Sequence, residues 1–257
     1  MDFAQQHHQA TPVLLANVWD VPSARAAAAA GYSALGTSSA AIANTFGYND
    51  GEELSFAELL LLVTRIRGQV ALPLSVDMEF GYGASVAEVV DNLRALAQTG
   101  VAGVNLEDSL VADGERRLVD AETYARRLRA VKTGLEQAGA VLFLNIRTDP
   151  FLLNRPQALA ETVARGQLYA RNGADGLFVP CVTEAADIAA IAAAVALPLN
   201  VMAMPALPDI DQLTRLGVKR VSMGNALHSA LQGYLHSLLH NVRQQQSFKG
   251  VFSHAGD

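Results

Sequence analysis

Two acids stand near the end of the stretch "PLSVDMEFGYG" (73–83): Asp77 and Glu79 follow a buried-strand pattern and precede glycines. A third, Glu107, lies at the end of a similar run, "VAGVNLED" (101–108). Close carboxylates in a dry pocket raise one another's pKa and cannot all stay ionised. A divalent cation removes that conflict, and all-oxygen donors favour Mg2+ or Mn2+ over zinc. Mg2+ usually takes one or two carboxylates directly and keeps several waters. Arg147, ending "VLFLNIR", could clamp a substrate carboxylate bidentately beside such an ion. The small residues of "GTSSAA" (36–41) would let backbone N–H groups approach an oxyanion, with a helix start following. Any one of these acids could instead cap a helix or pair with Arg147 or Arg25. As a group at strand ends, they point to a metal site.

Histidine stands outside this constellation. His7, His8, His228, His236, His240 and His254 lie near the chain ends. His236 and His240 have the spacing of a metal pair but no acidic third ligand, so a structural or surface role is expected.

The elements that must position these groups are legible as apolar runs recurring about every thirty residues. They lie at 13–19, 32–38, 72–78, 101–108, 141–147, 174–180, 197–202 and 219–224. Near-continuous hydrophobicity implies burial on both faces, as in a parallel sheet covered by helices. Helical patterns fill the intervals at 23–30, 55–68, 86–99, 121–138, 157–172, 184–196, 209–216 and 225–245. Glycines at 31, 100, 173 and 217 follow helices as C-terminal caps do. Eight β-then-α units predict an α/β fold, a closed (β/α)8 TIM barrel in one domain over 1–257, with a C-terminal helical segment at about 225–245. A doubly wound sheet is the alternative, but no glycine-rich dinucleotide fingerprint follows the first strand.

On that fold the strand ends share one rim, where active sites are built. They carry Asn17, Trp19 and Asp20; Thr37, Ser38 and Ser39, with Asn44 and Asp50 beyond; Asp77 and Glu79; Asn105, Glu107 and Asp108; Asn145, Arg147 and Asp149; and Asn200. The opposite ends show glycine, proline and alanine. We place Arg147 as a catalytic residue, Asp77, Glu79 and Glu107 at the metal, and Trp19, Gly36, Ser38, Ser39 and Arg147 among the substrate contacts.

"NVWDVPSARAAAAAGYSALGTSSAAIA", "SVDMEFGYG", "GVAGVNLEDS", "FLNIRTDPFL" and "GADGLFVP" together resemble the isocitrate lyase/phosphoenolpyruvate mutase superfamily over about residues 13–226. The resemblance implies Mg2+, a 2-oxo or 2-hydroxy carboxylate substrate, and a homotetramer whose paired subunits exchange the last barrel helix. It implies Asp77 as the direct metal ligand, Glu79 and Glu107 acting through water, and Asp50 as a catalytic residue facing the metal. Arg147 and the 38–39 backbone would bind substrate oxygens, and Asn200 would lie on the substrate side. At position 79 many relatives carry Asp. The segment 109–120, "SLVADGERRLVD", lacks both the cysteine of the isocitrate-type lyases and the lysine and asparagine of the phosphonate mutases. It is expected to be a solvated loop, although Glu115, Arg116 and Arg117 could close over substrate.

The resulting expectation is an Mg2+-dependent lyase or decarboxylase acting on oxaloacetate, an alkylmalate or a methylisocitrate-like acid through an enolate. Phosphonopyruvate mutase or hydrolase chemistry, or a catalytically silent 2-oxo acid binder, are the alternatives. Tyr48, Tyr82 or a metal-bound water could return the proton. A net charge of −6 gives no reason to bind nucleic acid or anionic lipid. The sole cysteine, Cys181, fits a reducing cytoplasm. The uncharged stretch 188–208 reads as helix then buried strand rather than a membrane span, because prolines interrupt it. The basic stretch "ARRLRAVK" (125–132) reads as a solvated helix face.

Overall fold

Apolar runs without alternation need cover on both faces. The computed structural model, which describes residues 2–252, supplies it by closing eight of them into a parallel barrel. From the N-terminus come α1 (Phe3–Gln6), β1 (Val13–Val18), α2 (Val21–Ala29), β2 (Ala34–Thr37), α3 (Ser39–Phe46), α4 (Phe56–Arg67), β3 (Leu74–Asp77), α5 (Val86–Gln98) and β4 (Gly103–Glu107). An antiparallel hairpin follows, β5 (Ser109–Ala112) and β6 (Glu115–Leu118). The second half runs α6 (Ala121–Gln137), β7 (Phe143–Arg147), α7 (Ala158–Ala170), β8 (Gly176–Val179), α8 (Ala185–Ala194), β9 (Leu199–Met202), α9 (Ile210–Arg215), β10 (Val218–Ser222), α10 (Ala226–Gln245) and α11 (Lys249–Phe252). Around the barrel the order is β1-β10-β9-β8-β7-β4-β3-β2. This is the predicted (β/α)8 TIM barrel.

Helix starts are fixed locally. Asp20, Ser55 and Ser85 each accept a bond from the backbone N–H three residues on, at 2.7, 3.3 and 3.2 Å. The glycines at 31, 100, 173 and 217 all have positive φ, which ends each helix without a Cβ penalty. Segment 188–208 divides between α8 and β9. Among the described residues no helix is long and apolar enough to cross a membrane.

Inside the barrel, beneath the rim, lies a polar layer. Asn145 donates to Asn105 at 2.9 Å and to Asn200 at 3.0 Å, and Arg220 reaches Ser75 and Asn105 at 3.4 and 3.3 Å. At the far end α1 closes the barrel, with Phe3 buried among Val13, Leu15, Ala34 and Phe143.

Two expectations are corrected. Segment 109–118 is a seated hairpin rather than a loop, because Asp113-Gly114, both at positive φ, makes the two-residue turn that right-handed strand twist favours. The basic stretch is only partly solvated. Arg127 lies 4.3 Å over the Phe80 ring and donates to Gly83 O at 3.0 Å, while Lys132 pairs with Asp175. These long side chains tie α6 to its neighbours through stem and head together.

Candidate active site

Strand register brings the acids and the arginine together. Asp77 lies opposite Asn105, and Glu107 lies opposite Arg147 on the adjacent strand. Glu107 Oε2 is 2.8 Å from Arg147 Nη1. Behind it, Arg147 donates to both oxygens of Asp149, at 2.7 and 3.0 Å, and Asp149 is fully buried. A guanidinium held by such a fork is oriented before any ligand arrives. Neighbouring carboxylates keep Arg147 protonated and push its pKa further up against the effect of burial.

The acids share a field more than a centre. Burial, then Asp50 and Asp77, push Glu79 up to about 8. Burial also pushes Glu107 to about 8, against the opposing pull of Arg147. Asp77 is raised as well, by burial first, with Arg147 opposing. Glu79 itself adopts a left-handed φ of 46°, and its carboxylate accepts from Glu52 N at 2.9 Å and from the Tyr82 hydroxyl at 2.8 Å. Asp77 Oδ2 accepts from Ser39 N at 3.4 Å, and its own N–H donates to Thr37 Oγ1. Asp50 is exposed, on the segment between α3 and α4.

Among the described residues no three His, Cys, Asp or Glu side chains form a set that could by itself hold a metal ion. The donor set nonetheless suits a hard dication. It is all oxygen, its carboxyls raise one another, and buried Glu107 Oε2 has no donor at a hydrogen-bonding angle. Such a site matches an ion that keeps its own waters.

The substrate-side residues are spread more widely. Ser38 caps α3, accepting from Ala41 N at 3.3 Å, while its own N–H donates to Val18 O. Gly36 faces Asn17, whose side chain ties Thr37 O to Met223 N. Trp19 sets its ring edge on His228, 4.9 Å away, on the α10 side of the rim. Asn200 is fully buried in the polar layer, its amide donating to Val201 O, Arg220 O and Ser222 Oγ. Tyr48 is exposed, its hydroxyl 3.5 Å from Glu58, whereas Tyr82 bonds Glu79 inside the site. His236 and His240 stack on exposed α10 faces, and His254 lies outside the described residues.

Three roles were not assigned from the sequence, although it put Asp108 and Asp149 on the rim and Arg116 on a segment that could close over substrate. Arg116, on β6, enters the acid group: it contacts Glu107, lies 3.4 Å from Asp50 and bonds Ser109 Oγ at 3.0 Å. Asp149 serves as the anchor of Arg147. Asp108, raised by burial, accepts from Thr148, Tyr169 and Arg165 at 2.6, 2.7 and 3.0 Å, and from Asp149 N, so it supports the anchor. The Asp-Gly turn between "SLVA" and "ERRL" was the available signal for the hairpin.

The sequence profile described as phosphoenolpyruvate phosphomutase matches residues 3–243. The chain is similar to a solved candidate phosphonomutase from Burkholderia cenocepacia, with 37% identity, a TM-score of 0.87, and coverage of 93% of this chain and 97% of that one. An uncharacterized protein of Mycobacterium tuberculosis is 34% identical over 230 residues, 90% of this chain and 84% of the relative. An oxaloacetate decarboxylase from Pseudomonas entomophila is 31% identical over 221 residues, 84% of this chain and 74% of the relative.

Proposed function

From the premise that this chain belongs to the phosphoenolpyruvate phosphomutase family, within the isocitrate lyase/phosphoenolpyruvate mutase superfamily, we propose a divalent-cation-dependent lyase that releases CO2 from oxaloacetate or splits a related alkylmalate or methylisocitrate-like acid. The chain is a lyase-type enzyme acting on small oxo acids. One observation carries the finer reading: Arg147, buried and forked by Asp149, stands beside a group of mutually raised acids at the strand ends.

In this reading Asp77 would hold Mg2+ or Mn2+, Glu79 and Glu107 would assist through water, and Asp50 would face the same site. The ion, when bound, supplies Lewis-acid polarisation of a 2-oxo group. Arg147 binds the substrate's C1 carboxylate through the N–H groups that Asp149 leaves unused. Backbone N–H groups of the 36–41 segment face substrate oxygens. As the C3–C4 bond of oxaloacetate breaks, its electron pair moves toward C2 and charge develops on the enolate oxygen. The fixed guanidinium meets that charge without reorganising, which is where such sites gain most of their rate. Water returns the proton at C3, while Tyr82, half-buried, donates its hydroxyl proton to Glu79 in a hydrogen bond and holds that carboxylate in place. Its hydroxyl stays protonated because burial and the charge of Glu79 oppose ionisation.

The test is purified protein with Mg2+ and a panel of oxaloacetate, alkylmalates and methylisocitrate. Pyruvate, glyoxylate or a related 2-oxo product is expected, and Asp77→Ala should abolish it while the circular dichroism spectrum is retained. No product from the whole panel defeats the reading. Likeness to the candidate phosphonomutase favours a second reading, C–P chemistry on phosphonopyruvate. Phosphorus NMR separates the two, since only C–P chemistry turns a phosphonate signal into phosphate or its ester.

A further inference from the structure

Arg116 reaches the rim from the hairpin and not from a barrel strand. Side chains alternate along β6. Glu115 and Arg117 are 71% and 58% exposed and pair with each other at 2.8 Å, whereas Arg116 is 15% exposed and points inward. Across the pair, Val111 opposes Arg116 and sits on Gly51, where an added Cβ would lie 2.9 Å from it. The hairpin is thereby seated on the segment that carries Asp50. It delivers one guanidinium among three carboxylates: Glu107 in contact, Asp50 at 3.4 Å and Asp149 at 3.7 Å.

We propose that Arg116 and the divalent cation compete for Glu107 and Asp50, so that the hairpin's seat on the rim and the cation's affinity are linked. The proposal rests on the cation reading of this site. A Glu107 oxygen bonded to a guanidinium is not free for an ion or the ion's water. A dication brought to the same acids also repels that guanidinium through a poorly screened pocket. Of the two arginines on Glu107, Arg147 is fixed from behind by the Asp149 fork on a barrel strand. Arg116 is carried by a two-stranded hairpin, a marginal element on its own, and is the group that yields. Linkage is reciprocal: what the hairpin gains from the rim the cation must overcome, and the bound cation loosens the hairpin.

The experiment titrates Mn2+ alone into full-length wild type, Arg116→Met, Arg116→Lys and Arg117→Met, reading free Mn2+ by electron paramagnetic resonance. Arg117→Met removes the same charge from the exposed face and reports the general field effect. Arg116→Met should bind Mn2+ about 10-fold more tightly than wild type, with Arg117→Met within about 2-fold and Arg116→Lys near wild type. In parallel, Mn2+ should accelerate tryptic cleavage of the wild type after Arg116 or Arg117. Equal affinities in Arg116→Met and Arg117→Met, weaker binding in Arg116→Met, or protection of the hairpin by Mn2+ each overturn the competition while leaving the metal site standing. If no protein binds Mn2+, the cation reading itself fails and this proposal falls with it.

Discussion

Arg147 can clamp a carboxylate only while Asp149 holds the guanidinium plane, and Asp149 is in turn held by Asp108 through its backbone N–H at 3.2 Å. Asp149→Asn keeps the shape but weakens the fork, since an amide presents one acceptor where the carboxylate presents two. A misplacement of about 1 Å at such a clamp costs on the order of 100-fold. We therefore expect kcat/KM on the productive acid to fall about 100-fold with the fold intact. Steady-state kinetics of Asp149→Asn beside circular dichroism checks this, and unchanged kinetics would remove Asp149 from the positioning role. That Asp77, Glu79, Glu107 and Arg147 lie near one another was readable because strand ends on a barrel share one rim, so chain position alone predicts neighbourhood. The work of Asp149 was not readable: an acid two residues beyond an arginine could face solvent or turn back, and only tertiary burial decides.

At the scale of elements, apolar runs announced the eight barrel strands because burial on both faces leaves a continuous pattern. Elements outside the barrel wall lacked that signal. The four-residue strands of the hairpin bury little, and α1 precedes the first apolar run. Yet α1 closes the barrel floor with a titratable group. His7 stacks on Phe143 at 4.3 Å between centroids, its Nδ1 lies 2.9 Å from Phe3 O, and its Nε2 has no partner. Burial first, then the charge of Arg220, lowers His7 to about 4 from an ordinary 6.5. The folded chain keeps His7 neutral where the unfolded chain takes up a proton. Its contribution is therefore complete above pH 6.5, is lost as pH falls toward 4, and changes no further below. The loss amounts to ~3 kcal/mol. His7→Phe keeps the stacking ring but cannot titrate, so chemical denaturation of the two proteins between pH 7 and 4 should show a shallower acid decline in the variant. Parallel declines would locate the acid sensitivity elsewhere.

For the whole molecule, α10 poses the remaining problem. It follows the last barrel strand, where a helix should pack on the sheet, yet His228 is its only buried residue. Leu227, Leu231, Tyr234, Leu235 and Leu239 repeat at helical spacing and are all exposed. A cavity of about 440 Å³ separates Leu227 and Leu231 from Trp19, Ala26 and Ala27. A contiguous apolar stripe of this kind marks an association surface. We propose that a second copy of the chain covers it by exchanging α10, giving paired subunits and, through two such pairs, a tetramer. The cavity beside Trp19 would then be walled by a neighbour's helix, so assembly and the rim of the active site become one question. Light scattering on the eluting protein should give a tetramer mass. Leu231→Glu with Leu235→Glu should drop the mass toward the monomer while the circular dichroism spectrum is retained. A wild-type monomer, or a double variant that keeps the tetramer mass, would mean that the stripe is not an interface between copies.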